Sequence, residues 1–368
     1  MSLGTLVRGL GVCQVFGDGI GNREDGDQSR CDRSALAPEF FHAIRKKAPL
    51  PVDQSVNAGR TAPVNFRCYP NPVEPAHGAD ASRGRKTQNG LGHRSPRRRL
   101  LATLTNIPTD LEAVLNDAWE VTRKVPGHLT EKEARFLGML AACVPAKGTI
   151  VEIGSFKGRS TVMLAKVASR YGGGPVVAID PHNSPILLDH GAHPEASSYE
   201  DFLESIRAAG VSGHVESRAA YSKEVSKSWN RPIRILWIDG DHSYEGAKND
   251  LDEFFPHLVP LGVVAFHDAL NVFPGPIRVF VEDVLQSDRF GPAGFVQSIA
   301  WAQSRPGDGE AFRERRSSLA RRASRLLPFV ESGRELRGMT KRRYKLRRFL
   351  VPHSAIEARE WASLVDSK

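Results

Sequence analysis

Apolar residues recur along this chain with two different periods, and the switch between them marks out the elements. Between residues 109 and 124, Leu111, Val114, Leu115, Ala118 and Trp119 fall three or four apart, the spacing of one helix face. Thr130 followed by Glu133 has the form of a capping box, and Phe136, Leu137, Leu140 and Ala141 continue the helical stripe. Beyond Pro145 and Gly148 the period changes. Nearly continuous apolar runs at 149–153, 176–179, 233–238 and 261–266 have the length of strands, and a weaker run lies at 214–217. Helical stretches at 159–170, 198–209, 244–255 and 276–286 alternate with them, and 294–303 offers two closing strands. Short apolar strands separated by helices are covered on both faces. The pattern therefore predicts an α/β fold: a doubly wound, mostly parallel sheet of seven strands.

Residues 1–100 keep neither period. They are rich in Gly, Pro, Arg and Asp and end in Arg94-Ser-Pro-Arg-Arg-Arg99, a composition that buries too little apolar surface to offset chain entropy. The expected organisation is a disordered extension over 1–106, a folded domain over 107–304, and a basic helical tail over 305–368. An arm for nucleic acid or membrane is the other reading of the extension. The net charge of +9 divides along the same lines. Residues 101–304 hold 18 Lys and Arg against 25 Asp and Glu, whereas 305–350 hold 15 against 5. An acidic core between basic flanks disfavours a nucleic-acid substrate. Arg313, Arg315, Arg316, Arg321, Arg322, Arg325 and the run Lys341 to Arg348, with Leu319, Leu326, Leu327, Phe329 and Val330 among them, have two readings. One is a solvated helix pair; the other is contact with an anionic membrane or nucleic acid.

Cys13, Cys31, Cys68 and Cys143 form no CxxC pair, so neither a disulfide framework nor a zinc site is supported. No run of about 18 apolar residues is present and the N-terminus is a poor signal peptide, so the expected location is cytoplasmic, with peripheral membrane contact left open through the basic tail.

Candidate chemistry collects at strand ends. The strand Thr149-Ile-Val-Glu-Ile153 runs into Gly154-Ser-Phe-Lys-Gly-Arg-Ser-Thr161, which opens a helix. Such a turn needs glycine so that backbone can approach a ligand, and amides at the new helix N-terminus can hold an anion. The spacing is GxxxG rather than GxGxxG, which speaks against a nicotinamide dehydrogenase. The next strand, Val176-Val-Ala-Ile179, ends in Asp180, where an acid can accept both hydroxyls of a ribose. Turn and acid together point to a nucleoside ligand; no Walker sequence is present. Two later strands end in Asp239-Gly-Asp-His242 and in His267-Asp268, which places Glu152, Asp180, Asp239, His242, His267 and Asp268 at one crevice outside the carboxyl edge of the sheet.

With these segments in view, VEIGSFKGRST (151–161), VVAID (176–180) and IDGDHSYEGAKNDLDEFFPHLVPLGVVAFHD (238–268) resemble the class I S-adenosylmethionine-dependent methyltransferases, in the family of macrocin-type sugar O-methyltransferases and cephalosporin-hydroxylase-like proteins. The resemblance implies that Glu152, Gly154, Ser155 and Gly158 surround the methionine part of S-adenosylmethionine, that Asp180 holds its ribose, and that Ser222 lies near its adenine. In metal-dependent members, acids matching Asp239 and Asp268 bind Mg²⁺. Mg²⁺ or Mn²⁺ on Asp239, His267 and Asp268 is the expectation this implies, although His267 stands where Glu is common and imidazole suits ions softer than Mg²⁺. Leu261 replaces a glycine of the family and should alter the turn into the fifth strand. Because a hydroxyl is a poor nucleophile until its proton leaves, His242 is expected as general base, with Asp239 beside it. The implied reaction is O-methylation of a small-molecule or glycan hydroxyl. The alternatives are a metal-dependent hydroxylase-like enzyme on the same fold and a non-catalytic nucleoside-binding protein. His182, His190 and His193, in the loop 181–197, read as a lid, and Asp241 as a solvent-facing turn residue.

Overall fold

A computed structural model describes residues 105–183, 197–331 and 336–366. The extension over 1–104, with Cys13, Cys31 and Cys68, and the loop residues His190 and His193 lie outside the described residues. Two helices, α1 (Leu111–Thr122) and α2 (Glu131–Cys143), precede the sheet. Then come β1 (Thr149–Ile153), α3 (Arg159–Arg170), β2 (Val176–Ile179), α4 (Tyr199–Ala208), β3 (Val215–Arg218), α5 (Ser222–Ser226), β4 (Ile233–Ile238), α6 (Tyr244–Phe254), β5 (Leu258–Phe266) and α7 (Pro274–Val279). The antiparallel strands β6 (Phe290–Val296) and β7 (Ile299–Ser304) close the sheet, and α8 (Arg313–Ala323), α9 (Leu327–Val330), α10 (Gly338–Phe349) and α11 (Ala358–Asp366) follow. The seven strands are ordered β3-β2-β1-β4-β5-β7-β6. Strands β1 to β5 run parallel and β7 lies antiparallel to β5 and β6.

The alternation of side chains along each strand builds two cores. Ile150, Val176, Ala178, Ile235, Trp237, Val263 and Ala265 pack with α1 to α4 and with Trp361 of α11. Val151, Val177, Leu236, Val264 and Phe266 face the other way, toward α6, α7 and Tyr344 of α10. The doubly wound architecture expected from the sequence is the one found.

Several boundaries differ from the sequence reading, each for a physical reason. Strand β5 begins at Leu258, three residues early, and its pairing with β4 is irregular between Ile233 and Ile235. Leu261 sits in that stretch with φ of 67°, in the left-handed region its family glycine would enter freely. Strand β6 starts at Phe290 rather than 294, its apolar pattern interrupted by Gly291, Pro292 and Gly294. Helix α7 gives way after Val279 to a π turn over Phe280–Val284.

The residues after Ser304 do not hang from the sheet as a free tail. Trp361 and Val365 are fully buried. Arg316, the most buried of the basic residues there, donates to the carbonyls of Leu285, Phe290 and Gly309 and to Asp288. Its charge is thus consumed inside the fold. Among the described residues no helix is long and apolar enough to cross a membrane.

Candidate active site

The strand register lines up the site. Ile153 pairs with Ile179 on one side and Ile238 on the other, and Ile238 pairs with Phe266. The residues that follow them, Gly154, Asp180, Asp239 and His267, therefore form one row along the carboxyl edge of the sheet, where open α/β folds bind their ligands.

The half of the row around β1 and β2 is shaped by main chain. Gly154 has φ of 85°, and a Cβ there would lie 2.2 Å from the Asp239 carbonyl oxygen, so only glycine permits this approach. Asp180 accepts the amides of Ser155 (2.9 Å) and Phe156 (2.7 Å) on Oδ2 and that of His182 (2.7 Å) on Oδ1. It clamps the glycine turn. Gly158, with φ of 91°, caps α3 with no side-chain acceptor for its first amides. Ser155 is buried and its Oγ has no partner. An orphan hydroxyl beside a bare helix N-terminus fits the amino-acid end of S-adenosylmethionine.

Glu152 stands on the inner side of the turn. It is fully buried on the α3 side, and the hydroxyls of Ser160 and Thr161 donate one to each of its oxygens. Burial raises its pKa to about 8, the two hydroxyls acting against the shift and Asp239 and Asp180 adding to it. It braces the turn from within. Ser222 opens α5 and donates to Asp250 of α6, a buried carboxylate raised to about 6 by burial. Sequence reasoning passed over Asp250, because nothing in its spacing separates it from the solvated acids of α6. His182 is buried too: its ring packs 5.0 Å from Tyr199 and 5.2 Å from Phe202, and Nδ1 lies 2.9 Å from Ser198 Oγ. These contacts fix His182 against the start of α4.

The half around β4 and β5 is made of side chains. His267 is buried, with Nδ1 3.0 Å from Asp239 Oδ1 and 3.7 Å from Asp268 Oδ1. On its other side Nε2 stands 3.8 Å from Glu133 Oε2. Burial alone would lower the imidazole pKa, but the carboxylates of Asp239, Glu133 and Asp268 raise it well above the ordinary value. Glu133 is the surprise. It completes the capping box with Thr130, as the sequence predicts, and also accepts from the amide and hydroxyl of Ser298 in the β6–β7 turn. Burial pushes its pKa up, and His267, Ser298 and Thr130 bring it below the usual carboxylate range. A capping motif accounts fully for a Glu at this position, so the sequence gives no hint of its second contact.

His242 precedes α6, whose cap is Ser243. Its Nε2 is buried without a hydrogen-bond partner, 3.6 Å from Asp239 Oδ1 and 3.5 Å from Asp268 Oδ2, and Phe273 packs on its ring at 4.6 Å. Asp268 holds a φ of 55° and accepts from the Asn271 side chain, a strained backbone of the kind found at functional sites. Asp241 is exposed and closes the turn onto Ser243, as expected.

Asp239, His267 and Asp268, the expected metal ligands, meet at this end of the row. Among the described residues no group of three or more His, Cys, Asp or Glu side chains is arranged to hold a metal ion. Nδ1 of His267 is turned onto Asp239 Oδ1 at 3.0 Å, so that ring nitrogen is engaged with the carboxylate.

Fold and crevice together are those of the Rossmann-like methyltransferase fold. Residues 151–269 match the family model of a methyltransferase domain. Among solved structures, the O-methyltransferase from Bacillus cereus in complex with SAH is 19% identical, the match covering 54% of this chain and 93% of that one, with a TM-score of 0.38. SAH-bound PaMTH1 of Podospora anserina is 14% identical over 54% of this chain and 89% of that one, at 0.40. The calicheamicin methyltransferase CalS11 is 17% identical over 59% and 99%, at 0.37.

Proposed function

We infer that the protein methylates a hydroxyl of a small-molecule or glycan acceptor, with His242 as the base that removes the hydroxyl proton. One observation carries this reading: the His242 imidazole stands between the Asp239 and Asp268 carboxylates with Nε2 buried and unpartnered. With Nε2 turned to two acids, Nδ1 is the nitrogen left to take a proton. The carboxylates then stabilise the imidazolium that forms, the arrangement a general base needs. S-adenosylmethionine supplies an electrophilic methyl group when bound, so the chain's own task is to orient the hydroxyl and activate it. Asp239, fixed by His267 behind it, keeps His242 in place. Ser155 and the first amides of α3 receive the donor's carboxylate, Asp180 its ribose, and Gly154 and Gly158 keep the turn open. Ser222 acts through the placement of α5 near the adenine. The resemblance to sugar O-methyltransferases supports a hydroxyl acceptor, and we place this chemistry in the domain 107–304, on which the later helices are built.

The test is label transfer. The full chain, incubated with methyl-labelled S-adenosylmethionine and a panel of glycan and phenolic acceptors, should pass label to a hydroxyl, and His242→Ala should lower the rate while donor binding persists. Donor that binds tightly yet gives no label to any hydroxyl acceptor would remove O-methylation from the account.

A further inference from the structure

Helix α10 carries a surface that the crevice does not use. Of the six large hydrophobic side chains exposed among the described residues, four lie on this helix and the residue that caps it: Met339 (62%), Leu346 (67%), Phe349 (79%) and Leu350 (49%). At 3.6 residues per turn these four fall within roughly 100° of arc. Tyr344 lies on the opposite face. It is buried, and its hydroxyl sits 2.8 Å from the carbonyl oxygens of both Leu270 and Asn271, in the loop that follows Asp268. The mounting fixes the orientation: while Tyr344 holds that loop, the apolar stripe must face outward. Arg343 and Lys345 border the stripe, Arg342 lies within its arc and Lys341 is further round; all four are exposed, and none has an acidic partner among the described residues. Elsewhere in the C-terminal region Arg316 and Arg305 are buried and Arg313 is bridged to Asp288, while Arg321, Arg322 and Arg325 are exposed with no large exposed hydrophobic side chain on their helices. On α10, unpaired positive charge and exposed apolar side chains coincide.

We propose that α10 is a membrane-docking helix that lies in the interface of an anionic bilayer, its Met, Leu and Phe side chains entering the acyl boundary and its Lys and Arg side chains meeting lipid phosphates. An apolar stripe flanked by cations matches such a surface in both of its properties, and long basic side chains can lie along the stripe while their charges stay at headgroup level. A nucleic acid would reward the charges and leave the stripe in water; a protein partner or a second copy would reward the stripe and leave the charges without complement.

The experiment is co-sedimentation of the full chain with vesicles of phosphatidylcholine containing about a third phosphatidylglycerol, against phosphatidylcholine alone. Binding should require the anionic lipid and weaken steeply as salt rises. Leu346→Ser with Phe349→Ser, and separately Arg342→Ser with Arg343→Ser, should each lower the partition coefficient by on the order of tenfold or more. Because these side chains are exposed, both double variants should keep the melting temperature and the affinity for S-adenosylhomocysteine. Three results overturn the proposal: no vesicle binding, vesicle binding that neither double variant changes, or retention on duplex nucleic acid without retention on vesicles. A fall of many degrees in the melting temperature of the Leu346/Phe349 variant would also overturn it, since the stripe would then be covered by protein.

Discussion

The two halves of the crevice are built by different means. Around Gly154 and Asp180 the surface is main chain: glycines with positive φ, a helix N-terminus, and a carboxylate whose bonds all go to amides. Around Asp239 and His242 it is side chain, with two imidazoles and three carboxylates drawn from α2, β4, β5 and the turn before α6. The first half suits a donor that is the same in every turnover. The second concentrates charge in a poorly solvated place, where it can move a proton. Binding of donor and activation of acceptor should thus fail separately.

The largest expected effect falls on the second half. Removing a general base typically costs about a hundred- to ten-thousandfold in turnover, and His242→Ala should show a loss of that order in steady-state assays. Asp239→Asn should do the same, because it frees both His242 and His267. If either variant turns over at the wild-type rate, proton removal belongs to another group.

A second effect tests how the first half is braced. Unfolded Glu152 titrates near 4.5, and the folded residue near 8. Between those values the folded chain keeps a proton that the unfolded chain has released, so stability falls as pH rises across the window. Glu152→Gln should remove this dependence, which is worth up to roughly a few kcal/mol, and should gain most over the parent near pH 8. Parallel denaturant titrations at pH 5 and pH 8 measure it. An unchanged slope would mean that Glu152 is ionised in the fold and that its hydroxyl partners outweigh its burial.

The contrast also explains what could be read from the sequence. The first half announces itself through neighbours in the chain: a strand, a GxxxG turn, a helix, and an acid at the next strand end. The row Gly154, Asp180, Asp239, His267 follows from strand order alone. Glu133 and Asp250 were not legible, since each serves a helix locally and meets the crevice only through tertiary packing. A metal site is another feature that residue types alone do not decide. Residue types at Asp239, His267 and Asp268 suggest ligands, but ligation depends on where Nδ1 of His267 points, and Glu133, remote in the chain, helps to set that. Within the basic segment Arg316 is drawn into the core, a role that composition does not separate from that of its exposed neighbours.

Smaller effects sharpen the picture. Leu261 in the left-handed region costs roughly 1–2 kcal/mol, part of which glycine would return as chain entropy. Leu261→Gly should therefore raise the melting temperature by no more than a few degrees; a drop would show that the Leu261 side chain contributes more by packing than its backbone loses. Chelation should have the smallest effect of all. Exhaustive dialysis against EDTA should leave turnover unchanged to within about twofold, given that Nδ1 of His267 is turned onto Asp239. Activity that vanishes and returns with Mg²⁺ or Mn²⁺ would restore the metal to the site.

The separation of donor binding from acceptor activation is tested most directly by calorimetric titration of the parent chain, Asp180→Ala, Asp239→Asn and His242→Ala with S-adenosylhomocysteine. Loss of bonds to a charged group is worth roughly 1.5–3 kcal/mol, so Asp180→Ala should weaken binding about ten- to hundredfold, while the other two variants bind like the parent. Equal losses in all three, or no binding by the parent chain, would contradict a crevice divided in this way.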